Sequence, residues 1–167
     1  MRLFIAIKFS AEIKKELINQ IEDLKNKAFR GNFTRVENLH LTMAFIGESN
    51  RIQDIKKIID SIKSESFDIK LSGSGRFGSL YWIGIEKEPR LFAIAEYLRE
   101  TLDKNGIPVD KKPFSPHITI AREVVSDAPI KLMVKQTSMS VTKISLMRSD
   151  RINGKLTYTE IYSKELK

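Results

Sequence analysis

Apolar residues recur along this chain at two periods, and their order outlines a fold. Leu3-Phe4-Ile5-Ala6-Ile7 is a short, nearly continuous apolar run within Met1 to Phe9, the pattern of a buried first strand. From Ala11 to Ala28 the period changes to three or four, with Ile13, Leu17, Ile21 and Leu24 on one face, Ser10 placed to cap, and Gly31 beyond the end. Asn38 to Gly47 reads as a second buried strand. A helix opening at Ser49 or Asn50 follows, with Ile52, Ile55, Ile58, Ile59 and Ile62 on one face. Phe67 to Ser72 alternates as a strand, and the glycine-rich Gly73 to Gly78 predicts a loop.

The order then repeats. Leu80 to Ile85 predicts a strand, and Pro89 opens a helix carrying Leu91, Ile94, Ala95, Leu98 and Leu102, which ends near Gly106. A loop rich in Pro and Lys, Pro108 to Pro116, leads into a strand from Ser115 to Arg122. A short helix is expected at Ala128 to Val134. Strands at Ser138 to Met147 and Leu156 to Tyr162 are joined through Asn153-Gly154, a hairpin signal. First strands near residues 2 and 79 and first helices near 11 and 88 share an offset of 77. The pattern predicts one α+β domain over residues 1–167, built from duplicated halves of about 1–75 and 79–167 related by a pseudo-twofold.

The only two histidines share the same offset, and each opens the same pattern: His40-Leu41-Thr42-Met43 and His117-Ile118-Thr119-Ile120. On a strand, this alternation puts His and Thr on one face and the apolar residues on the other. A pseudo-twofold would bring the two faces together. With an ordinary pKa near 6.5, one imidazole can accept a proton while the other, protonated, gives one up. That division suits phosphodiester cleavage, in which Thr42 and Thr119 would donate to the phosphoryl oxygens. Arg122 would be a third phosphate contact, because its planar fork suits phosphate. Its parity on a regular strand is wrong, so the strand must end or bulge there. Phe9, Phe77, Trp82 and Phe114 could stack a base, with Phe114 favoured because it lies in a polar loop just before His117.

Composition narrows the partners. The 29 Lys and Arg against 21 Asp and Glu leave a net charge of +8, which favours an anionic partner such as nucleic acid. There is no cysteine, and no apolar run reaches the length of a membrane span. Two histidines without cysteines or a His-Glu-x-x-His spacing fall short of a zinc set, so no metal and no cofactor are expected. Without an export signal, the cytoplasm is the expected compartment, and a monomer the expected state.

These motifs resemble the 2H phosphoesterase superfamily, and within it the RNA 2',3'-cyclic phosphodiesterases, also called 2'-5' RNA ligases. The resemblance runs through Arg2 to Ile7, Glu37 to Gly47, Trp82 to Ile85, Pro113 to Arg122 and Tyr158 to Tyr162. It implies a bilobal fold with two antiparallel sheets flanked by helices around a central cleft. It further implies metal-independent opening of RNA 2',3'-cyclic phosphate ends, or of 2',3'-cyclic nucleotides, to 2'-phosphates, and possible reversal as 2'-5' ligation. By the same resemblance His40 is the proton donor, His117 the acceptor, and Thr42, Thr119 and Arg122 hold the phosphate. Val36 stands where Pro is common, and Ala44 where Lys or Arg often follows the first motif, which bears on preference for a longer RNA. Two other readings stay open: another small cyclic phosphate or oligonucleotide as substrate, and a non-catalytic RNA-binding module.

Overall fold

The computed structural model describes residues 1–167. In chain order the elements are β1 (Arg2–Ile7), α1 (Ala11–Lys27), β2 (Arg30–Phe33), a single 3-10 turn (Val36–Asn38), β3 (Leu41–Glu48), α2 (Ile52–Asp60), β4 (Phe67–Phe77), β5 (Leu80–Ile85), α3 (Pro89–Lys104), β6 (His117–Val125), β7 (Ser138–Val141), β8 (Lys143–Ile152) and β9 (Lys155–Glu165). The strands form two antiparallel sheets, ordered β3-β1-β8-β9 and β2-β6-β5-β4-β7. None of the helices is long and apolar enough to cross a membrane.

The helices form where the periodicity places them. Ser10 caps α1 by accepting from the Ile13 N–H, and Ile13, Leu17, Ile21 and Leu24 are all buried. Glu88 caps α3, with Pro89 in its first turn. These helices cover the outer faces of the sheets, α1 against β2, β6 and β7, and α3 against β3. One apolar core runs through the whole chain, joining Leu3, Ile5 and Leu41 to Ile83, Ile118 and Ile120.

Strands of each half cross into the sheet of the other. β4, from the first half of the chain, pairs with β5 of the second. β8, from the second half, pairs with β1 of the first.

Four sequence expectations change. Gly73 to Phe77 continues β4 instead of forming a loop. A Cβ at Gly75 would sit 2.2 Å from the Trp82 ring, and one at Gly84 would sit 2.5 Å from the Ser72 carbonyl oxygen. These glycines therefore allow close approach of two strands. The turn itself falls at Gly78, φ +60°. Arg30 to Phe33, short and half polar, forms the edge strand β2. The stretch expected as one strand from Ser138 to Met147 breaks at Thr142, where the chain leaves one sheet for the other.

The helix expected at Ala128 to Val134 does not form. That segment is an irregular strap, with Pro129 near its start. Side chains satisfy its backbone: Tyr81 Oη accepts from the Ile130 N–H at 2.9 Å, and Gln20 Nε2 donates to the Met133 carbonyl at 2.9 Å. Glu16, only 6% exposed, accepts from the Lys135 N–H at 2.7 Å and from Gln20 at 2.8 Å. Replacing Glu16 with Ala would strand the Lys135 N–H and remove an acceptor for Gln20. Glu16→Ala should therefore cost about 1–3 kcal/mol in urea unfolding. Glu16→Gln, which keeps one acceptor oxygen, should cost less.

Candidate active site

Both motif strands face one cleft of about 630 Å³. It is lined by His40, Thr42, His117, Thr119 and Arg122 together, so five of the six sequence-predicted residues meet in one place. Phe114 does not join them. Its ring packs edge-on against Phe92 of α3 at 5.2 Å, because the loop before His117 lies against that helix.

Irregular pairing sets the faces. Trp82 pairs with Thr119 and Tyr81 with Ala121, so Ile120 is an extra residue in β6. A bulge of this kind turns the strand by one residue. Ile120 and Ala121 are both buried, and Arg122 returns to the cleft beside His117 and Thr119. β3 does the same: Ala6 pairs with Thr42 and Ile5 with Ala44, leaving Met43 unmatched. Met43 and Ala44 are buried, and Phe45 enters the cleft at the position matching Arg122. Arg2 of β1 lies over the Phe45 ring, 5.0 Å from its centre, and also lines the cleft.

Backbone carbonyls orient the imidazoles. His40 Nδ1 lies 2.7 Å from the Asn38 carbonyl oxygen, and His117 Nδ1 lies 2.7 Å from that of Ser115. A carbonyl can only accept, so Nδ1 carries the hydrogen in both rings, and Nε2 is the nitrogen left for proton transfer. His40 Nε2 meets Thr42 Oγ1 at 2.9 Å. When the ring is neutral, the threonine hydroxyl donates to it.

The two surroundings differ. His40 is packed between Phe4, at 4.9 Å, and the edge of Tyr158, at 5.1 Å. Burial holds its pKa below the ordinary value, partly offset by the Asn38 hydrogen bond. His117 is flanked by Phe77 at 5.6 Å and Trp82 at 6.3 Å, and Phe77 is 54% exposed. Burial pushes the Tyr158 hydroxyl up, against the pull of the Arg122 and Arg2 charges.

Five cations line the cleft, Arg2, Arg35, Arg122, Arg151 and Lys155, and no carboxylate does. No group of three or more His, Cys, Asp or Glu side chains is placed to hold a metal ion. This arrangement can bind an anion and present one Nε2 from either side.

Comparison with known proteins places the chain. Residues 13–153 match the family model of the 2'-5' RNA ligase superfamily. The chain belongs to this superfamily. A relative from Thermotoga maritima named RNA 2',3'-cyclic phosphodiesterase is 36% identical over 132 residues, covering 73% of this chain and 70% of that one. The Escherichia coli protein of the same name is 30% identical over 166 residues, covering 96% and 93%. A crystal structure of a phosphoesterase superposes with a TM-score of 0.87 at 28% identity, covering 99% of this chain and 97% of that one. Escherichia coli LigT complexed with 3'-AMP gives 0.85 at 30% identity, with the same coverage. Like the curated relatives in this family, the chain is an enzyme, a hydrolase.

Asn38, Phe4, Arg2 and Tyr158 were not legible as site residues in the sequence. The apolar doublets Met43-Ala44 and Ile120-Ala121, which break the alternation after each His-x-Thr, are the signal that could have located the bulges.

The His40 environment predicts its titration. Its folded pKa lies below the unfolded value near 6.5, so the unfolded chain binds the proton first as pH falls. The contribution to stability is complete above about pH 6.5 and is lost as pH falls through the folded pKa. Carbon–proton NMR of the imidazole should place the His40 midpoint below 6.5. A midpoint at or above that value would mean the aromatic enclosure does not desolvate the ring.

Proposed function

We propose that the cleft opens RNA 2',3'-cyclic phosphate ends to 2'-phosphates by acid–base catalysis between the two histidines. Convergence of two histidines held through Nδ1, two threonines and Arg122 on a single carboxylate-free cleft supports the reading above all else. Water attacks phosphorus while His117 Nε2 takes its proton. The bond from phosphorus to O3' breaks, and His40 Nε2–H delivers a proton to the departing oxygen. The products are a 2'-phosphate and a free 3'-hydroxyl, with neutral His40 and protonated His117. Exchange with solvent restores both.

Thr42 links protonation of His40 to phosphate binding. With the ring neutral, its hydroxyl hydrogen is engaged with Nε2. With the ring charged, Nε2 carries the hydrogen that O3' receives, and the hydroxyl hydrogen is released for a phosphoryl oxygen. The negative phosphate in turn favours the imidazolium that burial opposes. Thr119 and Arg122 hold the phosphate from the other strand, where Arg122 has no carboxylate to compete for it. Phe77, exposed beside His117, offers a ring for the terminal base.

A 5'-hydroxyl in the place of water, by the same steps, would give a 2'-5' linkage, so the ligation direction belongs to the same proposal. The acting unit is one domain over residues 1–167 of duplicated halves, a monomer in the cytoplasm. Its partner is the RNA end.

Hydrolysis of a 2',3'-cyclic nucleotide in excess EDTA, with the product isomer resolved, tests the reaction. Release of 2'-phosphate should fall by about 10²–10⁴-fold in His40→Ala and in His117→Ala, the scale of one lost general acid or base. The profile of kcat/KM against pH should be bell-shaped, with its acid limb below 6.5. A substrate with sulfur in place of O3' separates the roles, because a thiolate leaves without a proton. It should restore His40→Ala and leave His117→Ala inactive, and the reverse pattern would exchange the two assignments.

A further inference from the structure

The proposed reaction uses Arg122 and both threonines at the cyclic phosphate. Of the other four cations of the cleft, Arg2 lies over the Phe45 ring and Arg35 is held by Glu37 and the Leu156 carbonyl, which leaves two. Arg151 and Lys155 both belong to the hairpin formed by β8 and β9. Neither has an ion-pair partner. Arg151 reaches only the Gly154 carbonyl of its own turn, at 3.4 Å. On the same strand Arg148 is neutralised by Asp150 at 2.6 Å. Strand parity separates them: Ser149 and Arg151 line the cleft, while Arg148 and Asp150 do not. The charges kept free are those turned toward the cleft.

Register gives the spacing. Ser149 pairs with Tyr158, whose ring touches His40, and Arg151 pairs with Leu156. Arg151 thus lies two strand residues, about 7 Å, beyond the level of the reacting centre. This is comparable to the step between neighbouring phosphates in an extended nucleic acid strand. The hairpin is also anchored: the Leu156 carbonyl accepts from Asn38 Nδ2 at 2.9 Å and from Arg35 Nη2 at 2.7 Å. The Asn38 carbonyl in turn orients His40. One buried residue therefore ties the hairpin to the imidazole. The motif strand supplies no cation in compensation, since Ala44 is buried in the bulge.

We propose that Arg151 and Lys155 form a second phosphate subsite, taking the phosphodiester on the 5' side of the terminal nucleotide, so that the enzyme favours an RNA chain over a mononucleotide. This rests on the reaction proposed above. The contact is electrostatic and depends on salt.

The test compares cytidine 2',3'-cyclic phosphate with a ten-nucleotide RNA bearing the same end, for wild type and for the double variant Arg151→Gln, Lys155→Gln. On the RNA the variant should raise KM about tenfold or more with kcat kept, the scale of one or two charge-assisted hydrogen bonds. Its dependence of log kcat/KM on log salt should be flatter by about 0.7 to 1. The loss on the mononucleotide should be clearly smaller than that on the RNA. Equal losses on both substrates, or no loss on the RNA, would overturn the subsite.

Binding of the same RNA ending in a 3'-phosphate separates this proposal from the reaction. If wild type hydrolyses neither substrate, the reaction falls. An unchanged Kd in the variant would then overturn the subsite as well, and a tenfold weaker Kd with a flatter salt slope would sustain it.

Discussion

The hydrogen bond from each imidazole Nδ1–H to the carbonyl two residues upstream, 2.7 Å at both His40 and His117, is the constraint on which the site depends. A histidine beside a phosphate is useful only if a known nitrogen faces the reacting atoms. A backbone carbonyl settles this without a charged partner, because it accepts and cannot donate. A carboxylate could orient the ring equally well, yet it would add negative charge to a cleft lined by cations. The lining holds five cations and no carboxylate, so orientation has been achieved without weakening the field.

Symmetry in the backbone carries asymmetry in the side chains. Both motif strands bulge at the residue after the threonine, so the fifth residue after each histidine turns into the cleft. In the second half that residue is Arg122. In the first it is Phe45, which holds the Arg2 guanidinium over its ring. Around the histidines the contrast continues: Phe4 and Tyr158 enclose His40, while the exposed Phe77 stands beside His117. Burial lowers the pKa of His40, and the two sides of the cleft are built differently around the same side chain, as the proposed division into one acid and one base requires.

Much of this was legible in the sequence because the governing signals are local. The buried faces of α1 and α3 follow directly from Ile13, Leu17, Ile21 and Leu24, and from Leu91, Ile94, Leu98 and Leu102. The matched His-x-Thr patterns marked four residues that line the cleft, and the parity of Arg122 required the bulge that β6 contains. What the sequence concealed depends on tertiary partners. The strap after β6 has a weak helical pattern, and side chains far away in sequence, Glu16, Gln20 and Tyr81, make its irregular backbone tenable. The glycines of β4 read as a loop until Trp82 is seen lying over Gly75. Phe114 sits close to His117 in sequence but packs on α3, while Tyr158 reaches His40 across 118 residues.

The crossing of β4 and β8 into opposite sheets has a bearing on origin. β4 begins at residue 67 and β8 at 143, nearly the same interval that separates the histidines, so they are counterparts in the two halves. α1 and α3 also cross, each packing on the sheet that carries the other half's motif strand. A half-length ancestor on this plan would be incomplete as a lone chain, with a sheet lacking a strand and a helix without its surface. It would be whole only as a strand-swapped pair, with one His-x-Thr from each copy facing a shared symmetric cleft. Joining two such copies end to end would remove the dependence on concentration. It would also free the two sides of the cleft to differ, which no homodimer with two-fold symmetry can do.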